Sequence, residues 1–141
     1  MRYLIDTCIF TTYVTDIDSL SLDALAILED YDNVICMSAE SIRELIVSFN
    51  NGEIISNFWD TAHHMIDAIT DEFCFTILPI QEGVMKTYSD LELNLKQKHK
   101  DPSDHVIISH AMTLGLPLLS SDSKFDFYRK QGLDFIYTPK R

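Results

Sequence analysis

The sequence has few of the residues that hold small folds together covalently or through zinc. Its three cysteines among 141 residues, Cys8, Cys36 and Cys74, lie far apart and form no CxxC pair. This spacing argues against a disulfide framework and against zinc ligation, and it favours the reduced thiols of a cytoplasmic protein. A chain of this length buries about 70% of its unfolded surface, so it can form a core without such links. We therefore expect one domain over residues 1–141.

Long apolar runs and glycine-rich loops are also missing. No apolar run reaches the roughly 18 residues that a membrane span requires, and the segment 1–10 is too short for a signal peptide. The four glycines are isolated, so neither GxGxxG nor a P-loop pattern occurs. We expect a soluble protein of the cytoplasm that binds neither a membrane nor a nucleotide cofactor.

Basic residues are scarce in the first part of the chain, where only Arg2 and Arg43 precede residue 86, against 15 acidic side chains. Residues 86–141 carry nine basic and seven acidic side chains, and the formal net charge of the chain is -11. This charge argues against nonspecific binding to duplex DNA through counterion release. Two interpretations, a local contact with phosphates or a solvated helix end, stay open for the basic cluster of Lys96, Lys98, His99 and Lys100.

Apolar periodicity alternates between strand-like and helix-like segments. Short apolar runs predict strands at 2–5, 34–37, 73–80, 117–122 and 134–137. Helical spacing predicts a helix after the first strand, a helix that Ser38 caps and Asn51-Gly52 stops, and further helices at 20–30, 57–70, 81–96 and 103–114. Such alternation predicts an α/β fold with a central parallel sheet and helices on both faces.

The clearest helix start is the segment 101–104, where Asp101 suits the N-cap and Pro102 the first helical position. On a helical wheel, Asp104 shares the apolar face that Ile107 continues. Burying an unpaired carboxylate costs several kcal/mol, so Asp104 must cap its own helix, pair with a base or bind a cation. The wheel does not decide between these three roles.

Other acidic residues stand at strand ends and on a helix face. Asp6 ends the first predicted strand and Asp122 ends the fourth. Active sites of open parallel sheets form beyond the carboxyl ends of the strands, although an Asp at a strand end also suits a helix N-cap. Glu40 and Glu44 lie one turn apart on the polar face of their helix, where the wheel predicts ordinary solvated acids.

The histidines form no recognisable site. His63-His64 lacks a partner pair at i+4, and His105 and His110 are five residues apart. Neither spacing is typical of a zinc site or of a nucleophile and its base. We expect solvated histidines or histidines at the edge of the core.

Three segments together resemble the PIN-domain family, and VapC-type toxins in particular. They are YLIDTCIF at the start, SAESIRELI after the second strand and DPSDHVIISHAMTLGLPLLSSDSKF near the end, and they span nearly the whole chain. The last segment is the most specific, because DPxD opens an apolar helix and the next strand ends in an acid. The resemblance implies a three-layer α/β/α sandwich and a metal-dependent endoribonuclease, the toxin of a type II toxin–antitoxin pair.

The family pattern also implies roles for individual residues. The implied catalytic acids are Asp6, Glu44, Asp104 and Asp122, of which the metal ligands are Asp6, Asp104 and Asp122. The implied supporting hydroxyls are those of Thr7 and Ser120. The chain departs from the pattern at two positions, with Cys8 where Asn, His or Ser is common and His105 where many relatives have Arg.

A cluster of four carboxylates is reasonable only around a cation. Two carboxylates 4 Å apart repel each other by roughly 4 kcal/mol at an effective dielectric constant of 20. Hard oxygen ligands favour Mg²⁺ or Mn²⁺. The implied partners are an RNA substrate, an antitoxin whose basic segment enters the acidic cleft, and a second copy in a homodimer. The candidate RNA-binding side chains are Lys96, Lys98 and Lys100.

Two other classes of function compete with this interpretation. A PIN-like module that binds RNA or protein without cleaving it fits the same segments. A phosphoryl-transfer domain fits less well, because Thr7-Cys8 follows Asp6 in place of the DxD of haloacid-dehalogenase-like phosphatases.

Overall fold

Strands and helices alternate along the chain in the computed structural model, which describes all of residues 1–141. The strands are β1 (Arg2–Ile5), β2 (Val34–Ser38), β3 (Thr76–Leu78), β4 (Leu118–Ser120) and β5 (Phe135–Tyr137). The α-helices are α1 (Thr7–Thr15), α2 (Leu22–Glu29), α3 (Ala39–Asn50), α4 (Ala62–Asp71), α5 (Glu82–Asp90) and α6 (Pro102–Leu114). Three 3₁₀ helices cover Ile17–Ser19, Ile54–Asn57 and Ser123–Gln131. None of the helices is both long and apolar enough to cross a membrane.

The five strands form one parallel sheet in the order β3-β2-β1-β4-β5, which confirms the predicted α/β fold. The first strand therefore lies in the centre, with Ile5 paired to Leu119 of β4. The backbone N–H of Asp6 continues this pairing by donating to the Leu119 carbonyl at 2.9 Å. Since parallel strands all end at the same edge, Asp6 and the residues after β4 meet there.

The sheet separates two apolar clusters, one on each face. Ile5 lies in one cluster with Phe10 of α1 and Leu45 of α3. Leu4 faces the other side and lies in the second cluster with Ile107 of α6. This division follows from the alternating direction of side chains along a strand. Helices cover both faces, and the predicted three-layer arrangement is confirmed.

The start and end of α6 agree with the sequence signals. The Asp101 side chain accepts a 3.0 Å hydrogen bond from the Ser103 N–H, and Pro102 occupies the first turn. Gly115 ends the helix in the left-handed conformation, at φ 65°, which a residue without Cβ adopts without strain. Both ends of α6 could be predicted, because the residues that determine them are neighbours in the sequence.

The helix predicted at 81–96 is wrong beyond Asp90. Asn94 leaves the helical path because its N–H donates to the Tyr128 hydroxyl at 3.1 Å and its side-chain amide donates to the Lys124 carbonyl at 3.2 Å. Asn side chains often compete with helical hydrogen bonds in this way. The basic cluster is therefore on a turn and the segment after it, and not on a helix end.

Three other predicted boundaries also differ. The helix predicted at 57–70 is present as α4 but begins later, at Ala62, and a separate 3₁₀ helix that ends at Asn57 precedes it. The strands predicted at 73–80 and 117–122 shorten to β3 and β4. Apolar residues beside these strands pack in loops, which periodicity alone does not separate from strands.

Candidate active site

A cleft of about 900 Å³ opens at the carboxyl edge of the sheet. Four acidic residues predicted from the sequence line it, namely Asp6, Glu44, Asp104 and Asp122. They come from the end of β1, the middle of α3, the first turn of α6 and the residues after β4. The fold thus brings together side chains that are more than a hundred positions apart in sequence.

Asp6 is the most buried of these acids, with 5% of its surface exposed. Oδ1 caps α1 by accepting from the Thr7 N–H at 2.8 Å, so the capping interpretation is correct. Oδ2 accepts from the Ser120 hydroxyl at 2.7 Å and from the Cys8 thiol at 3.3 Å. Burial, and then the charge of Asp104, raise the pKa of Asp6 to about 6, although the hydrogen bonds from Ser120, Cys8 and Thr7 oppose this.

Glu44 is half-buried, so the helical wheel was wrong to predict an ordinary solvated acid. The Thr7 hydroxyl donates to Glu44 Oε1 at 2.6 Å and links α1 to α3. Burial raises the pKa of Glu44 to about 7, the negative charges of Asp6 and Asp104 contribute further, and the Thr7 bond lowers it. A carboxyl group with this pKa can accept and release a proton near neutral pH.

Glu40 lies one turn before Glu44, and its carboxylate joins α3 to the start of α6. Its Oε1 accepts hydrogen bonds from the Arg43 guanidinium and, at 2.8 Å, from the Ser103 hydroxyl. The side chain of Glu40 is 14% exposed, so it too differs from the solvated acid that was predicted. Since Arg43 and Ser103 both line the cleft, this contact fixes one wall of it.

Asp104 does not cap its own helix, because Asp101 has that role. Its Oδ2 instead accepts a 2.9 Å hydrogen bond from Nε2 of His99. The predicted grouping of His99 with exposed lysines is wrong, since only 2% of His99 is exposed. Of the roles left open by the sequence, Asp104 therefore has a base as its partner, and 18% of its side chain remains exposed.

Asp122 begins the last 3₁₀ helix. Its side chain accepts from the Lys124 N–H at 2.9 Å, and its own N–H donates to the Ser120 hydroxyl oxygen at 3.1 Å. Ser120 thus connects Asp6 to the backbone of Asp122. Ligand atoms of Asp122, Asp104 and His99 all lie within 4.8 Å of one another, and Asp6 is outside this group.

The two residues that depart from the family pattern have defined environments. Cys8 has its thiol 3.3 Å from Asp6 Oδ2 and 3.3 Å from the Ser121 hydroxyl. Burial, followed by the Asp6 charge, raises the pKa of this thiol to about 12, so the thiolate does not form near neutral pH. His105 is buried and its Nε2–H donates to the His99 carbonyl at 3.0 Å.

Two basic side chains line the cleft, Arg43 and Lys140. Lys140 is held there by the chain end, since the Thr138 N–H donates to the Ser120 carbonyl at 2.9 Å and Arg141 donates to the Leu20 carbonyl. The three lysines predicted as RNA-binding residues are exposed and are not part of the cleft lining: Lys96, Lys98 and Lys100.

A comparison of the sequence with models of protein families tests the resemblance that the three sequence segments indicated. The model of the PIN domain matches residues 3–131, which is most of the chain. This chain belongs to the PIN-domain family. The predicted resemblance is therefore confirmed. A comparison with curated proteins found no match.

Solved structures with a similar fold include toxin–antitoxin complexes. VapBC2 from Rickettsia felis, bound to a DNA fragment from its promoter, matches with a TM-score of 0.74 and 20% identity over 98% of this PIN domain chain and 99% of that chain. VapBC-1 from nontypeable Haemophilus influenzae has a TM-score of 0.68 and 19% identity over 97% and 98%. FitAcB from Neisseria gonorrhoeae has a TM-score of 0.63 and 18% identity over 96% of each chain. At these identities the likeness is one of fold.

Sequence reasoning missed three residues of this PIN domain site. His99 stands between lysines in the sequence and was grouped with them. Its contacts with Asp104 and Tyr128 form only in the folded structure. Arg43 and Lys140 are harder to find, because a single basic residue is common on any surface. The position of Arg43 directly before Glu44 is the one hint that the sequence offered.

Proposed function

We propose that this PIN-domain protein is an endoribonuclease that uses Mg²⁺ or Mn²⁺ to hydrolyse RNA phosphodiester bonds. One observation carries the proposal: four carboxylates from four separate segments line one cleft, and burial together with mutual repulsion raises the pKa of Asp6 and Glu44. Grouping carboxylates in this way lowers the stability of the fold, and a bound cation would offset that loss by neutralising their charge.

The donor atoms fit a hard divalent cation, because the cleft offers carboxylate oxygens and the Cys8 thiol stays protonated. Asp6, Asp104 and Asp122 would hold the ion. When bound, such an ion lowers the pKa of water and polarises the scissile phosphate. Ser120 prepares this site without the ion, since its hydroxyl fixes one oxygen of Asp6 and also holds the backbone of Asp122.

Glu44 is the residue placed to move a proton. Its pKa of about 7 suits a general base that takes a proton from the attacking water. The Thr7 hydroxyl at 2.6 Å fixes Oε1 and leaves Oε2 for that proton. Arg43 and Lys140 would bind the phosphate backbone of the substrate, since both line the cleft.

A cleavage assay with a matched variant tests the proposal. The purified protein should cut RNA with Mn²⁺, stop with EDTA, and lose cleavage to background in Glu44→Gln, whose amide oxygen still accepts from Thr7. Glu82→Gln, an exposed change on α5, is the control and should cleave normally. If the wild-type protein binds RNA and never cuts it with either metal, the alternative of a non-catalytic PIN-like binding module is correct.

The partner that we propose is an antitoxin, because the similar solved structures include VapBC toxin–antitoxin complexes. The acidic cleft suits a basic partner segment, with an Arg or Lys placed near Asp6, Asp104 and Asp122. Co-expression with short proteins from adjacent reading frames, followed by a structure of the complex, tests this. A bound partner that avoids the cleft would contradict it.

We also propose that the protein forms a homodimer, as the resemblance to the family implies. Light scattering at tens of micromolar measures the mass directly. A mass of about 32 kDa supports the dimer, since one chain has a mass of 16.2 kDa. A single species at the monomer mass would contradict it.

A further inference from the structure

We propose that His99 is a positioning residue that fixes the Asp104 carboxylate for the divalent cation, through a directed chain of hydrogen bonds that begins at the Asn94 backbone. This inference rests on the proposed metal site. The three family segments of the sequence leave His99 without a role, because the last of them begins at Asp101. The contacts of the imidazole ring supply one.

The His99 ring is buried, with both of its nitrogens engaged. Nδ1 lies 2.9 Å from the Tyr128 hydroxyl, and Nε2 lies 2.9 Å from Asp104 Oδ2. The ring packs edge-to-face on His105 at 4.8 Å between centroids and lies 5.4 Å from the ring of Phe125. Contacts on its faces and at both nitrogens leave the ring with one orientation.

Only one set of hydrogen-bond directions gives every donor in this chain of contacts an acceptor. The Asn94 backbone N–H can only donate, so the Tyr128 oxygen accepts from it at 3.1 Å. The Tyr128 O–H then donates to Nδ1 of His99, which places the ring proton on Nε2. This Nε2–H donates to Asp104 Oδ2. Every donor in the chain thereby has an acceptor, as buried polar groups require.

The tautomer decides what His99 does. With a proton on Nε2 directed at Asp104, the nitrogen has no free lone pair for a metal, so His99 is not itself a ligand. It holds Oδ2 of Asp104 and leaves Oδ1 without a partner from the protein. A ligand held in this way loses little freedom when a cation binds, and removing such outer partners typically lowers metal affinity about 10–100-fold.

Mn²⁺ titration by calorimetry, without RNA, tests this role in four variants of the full chain. His99→Leu removes the donor, and we expect its affinity to fall at least about 10-fold. His99→Gln keeps an amide N–H near the Nε2 position and should recover part of the loss. Tyr128→Phe keeps the ring and frees the tautomer, so it should weaken binding by a smaller factor. His110→Leu is the matched control, a buried histidine of α6 bonded to Ser38 outside the cleft, and should bind Mn²⁺ normally.

The outcomes separate this inference from the proposed function. If the wild type binds Mn²⁺ and both His99→Leu and Tyr128→Phe bind it equally well while remaining folded by circular dichroism, His99 has no positioning role. If the wild type binds no Mn²⁺, the metal site itself is wrong and the inference falls with it. Nitrogen-15 NMR of the imidazole gives an independent check on metal-free protein, and a proton on Nδ1 in place of Nε2 would overturn the assignment.

Discussion

The Thr7 hydroxyl donates a 2.6 Å hydrogen bond to Glu44 Oε1, and this bond joins the first turn of α1 to the middle of α3. The two residues are 37 positions apart in sequence. Burial raises the pKa of Glu44 to about 7, and the Thr7 bond opposes that rise because it stabilises the charged carboxylate. Loss of the Thr7 bond should therefore raise the pKa of Glu44 further.

Replacing Thr7 with Val removes this donor and keeps the shape of the side chain. We expect the pKa of Glu44 to rise, so the lower limb of the pH–rate profile should move to higher pH and cleavage near pH 7 should fall several-fold. The free energy of unfolding should decrease by about 1 kcal/mol. Thr7→Ser keeps the hydroxyl and should behave as the wild type. An unchanged pH profile in Thr7→Val would show that the bond has no influence on the reaction.

The stability of the metal-free protein should decrease as the pH rises from about 4 to about 7. The folded pKa of Asp6, about 6, lies above its ordinary value of 3.8, so the folded state binds the proton more tightly than the unfolded state. The folded protein is therefore favoured at the acidic end of this range and loses that advantage as Asp6 ionises. A shift of this size corresponds to about 3 kcal/mol.

Asp6→Asn isolates the contribution of this residue. In EDTA, the unfolding free energy of the variant relative to the wild type should increase between pH 4 and pH 7, because only the wild type acquires the buried charge. Asp134→Asn, at an exposed position, controls for the general loss of one acid. Parallel pH dependences of Asp6→Asn and wild type, measured by urea unfolding, would contradict the prediction.

Removing the charge of Asp122 should weaken the response to metal and preserve the fold. Asn is as good an N-cap as Asp, so Asp122→Asn can still accept the hydrogen bond from Lys124. We expect the melting temperature of the wild type to rise by several degrees with Mn²⁺, and that of the variant to rise far less. Asp126→Asn, an exposed change in the same 3₁₀ helix, should retain the full response. An equal response in Asp122→Asn would remove this residue from the metal ligands.

The salt dependence of RNA binding distinguishes the basic residues inside the cleft from those outside it. In a Glu44→Gln background, which prevents cleavage, Lys140→Ala should lower the salt slope for single-stranded RNA by about 0.7. The triple change of Lys96, Lys98 and Lys100 to Ala lowers the slope by up to about 2 if all three bind phosphates. A triple variant with the slope of the parent would identify these lysines as a solvated surface.

The parts of the fold that could be predicted are those with local signals. The apolar run 2–5 followed by Asp6, and the Asp101-Pro102 start of α6, depend on neighbours within one turn. The resemblance to the family then grouped four acids in one site, and the adjacency of β1 and β4 in the sheet explains why two of them, Asp6 and Asp122, lie at the same edge.

The remaining features depend on contacts between distant segments. A helical wheel assigns Glu44 to a polar face, but it does not indicate that Thr7 of another helix covers that face. His99 looked like one more basic residue of a cluster, since its partner Tyr128 is 29 positions away. The predicted helix ran on to residue 96, whereas the bonds that set the course of the chain after Asp90 come from Tyr128 and Lys124, more than 30 positions away for Tyr128.

The central position of β1 determines when the site can assemble during synthesis. Asp6 leaves the ribosome first, but the hydroxyl that holds it belongs to Ser120, 114 positions later. Asp104 and Asp122 also come from the last third of the chain. A growing polypeptide that has not yet reached β4 lacks one of the two strands that pair with β1, together with Ser120 and Asp122. The acidic cleft therefore cannot assemble before Ser120 and Asp122 have been synthesised.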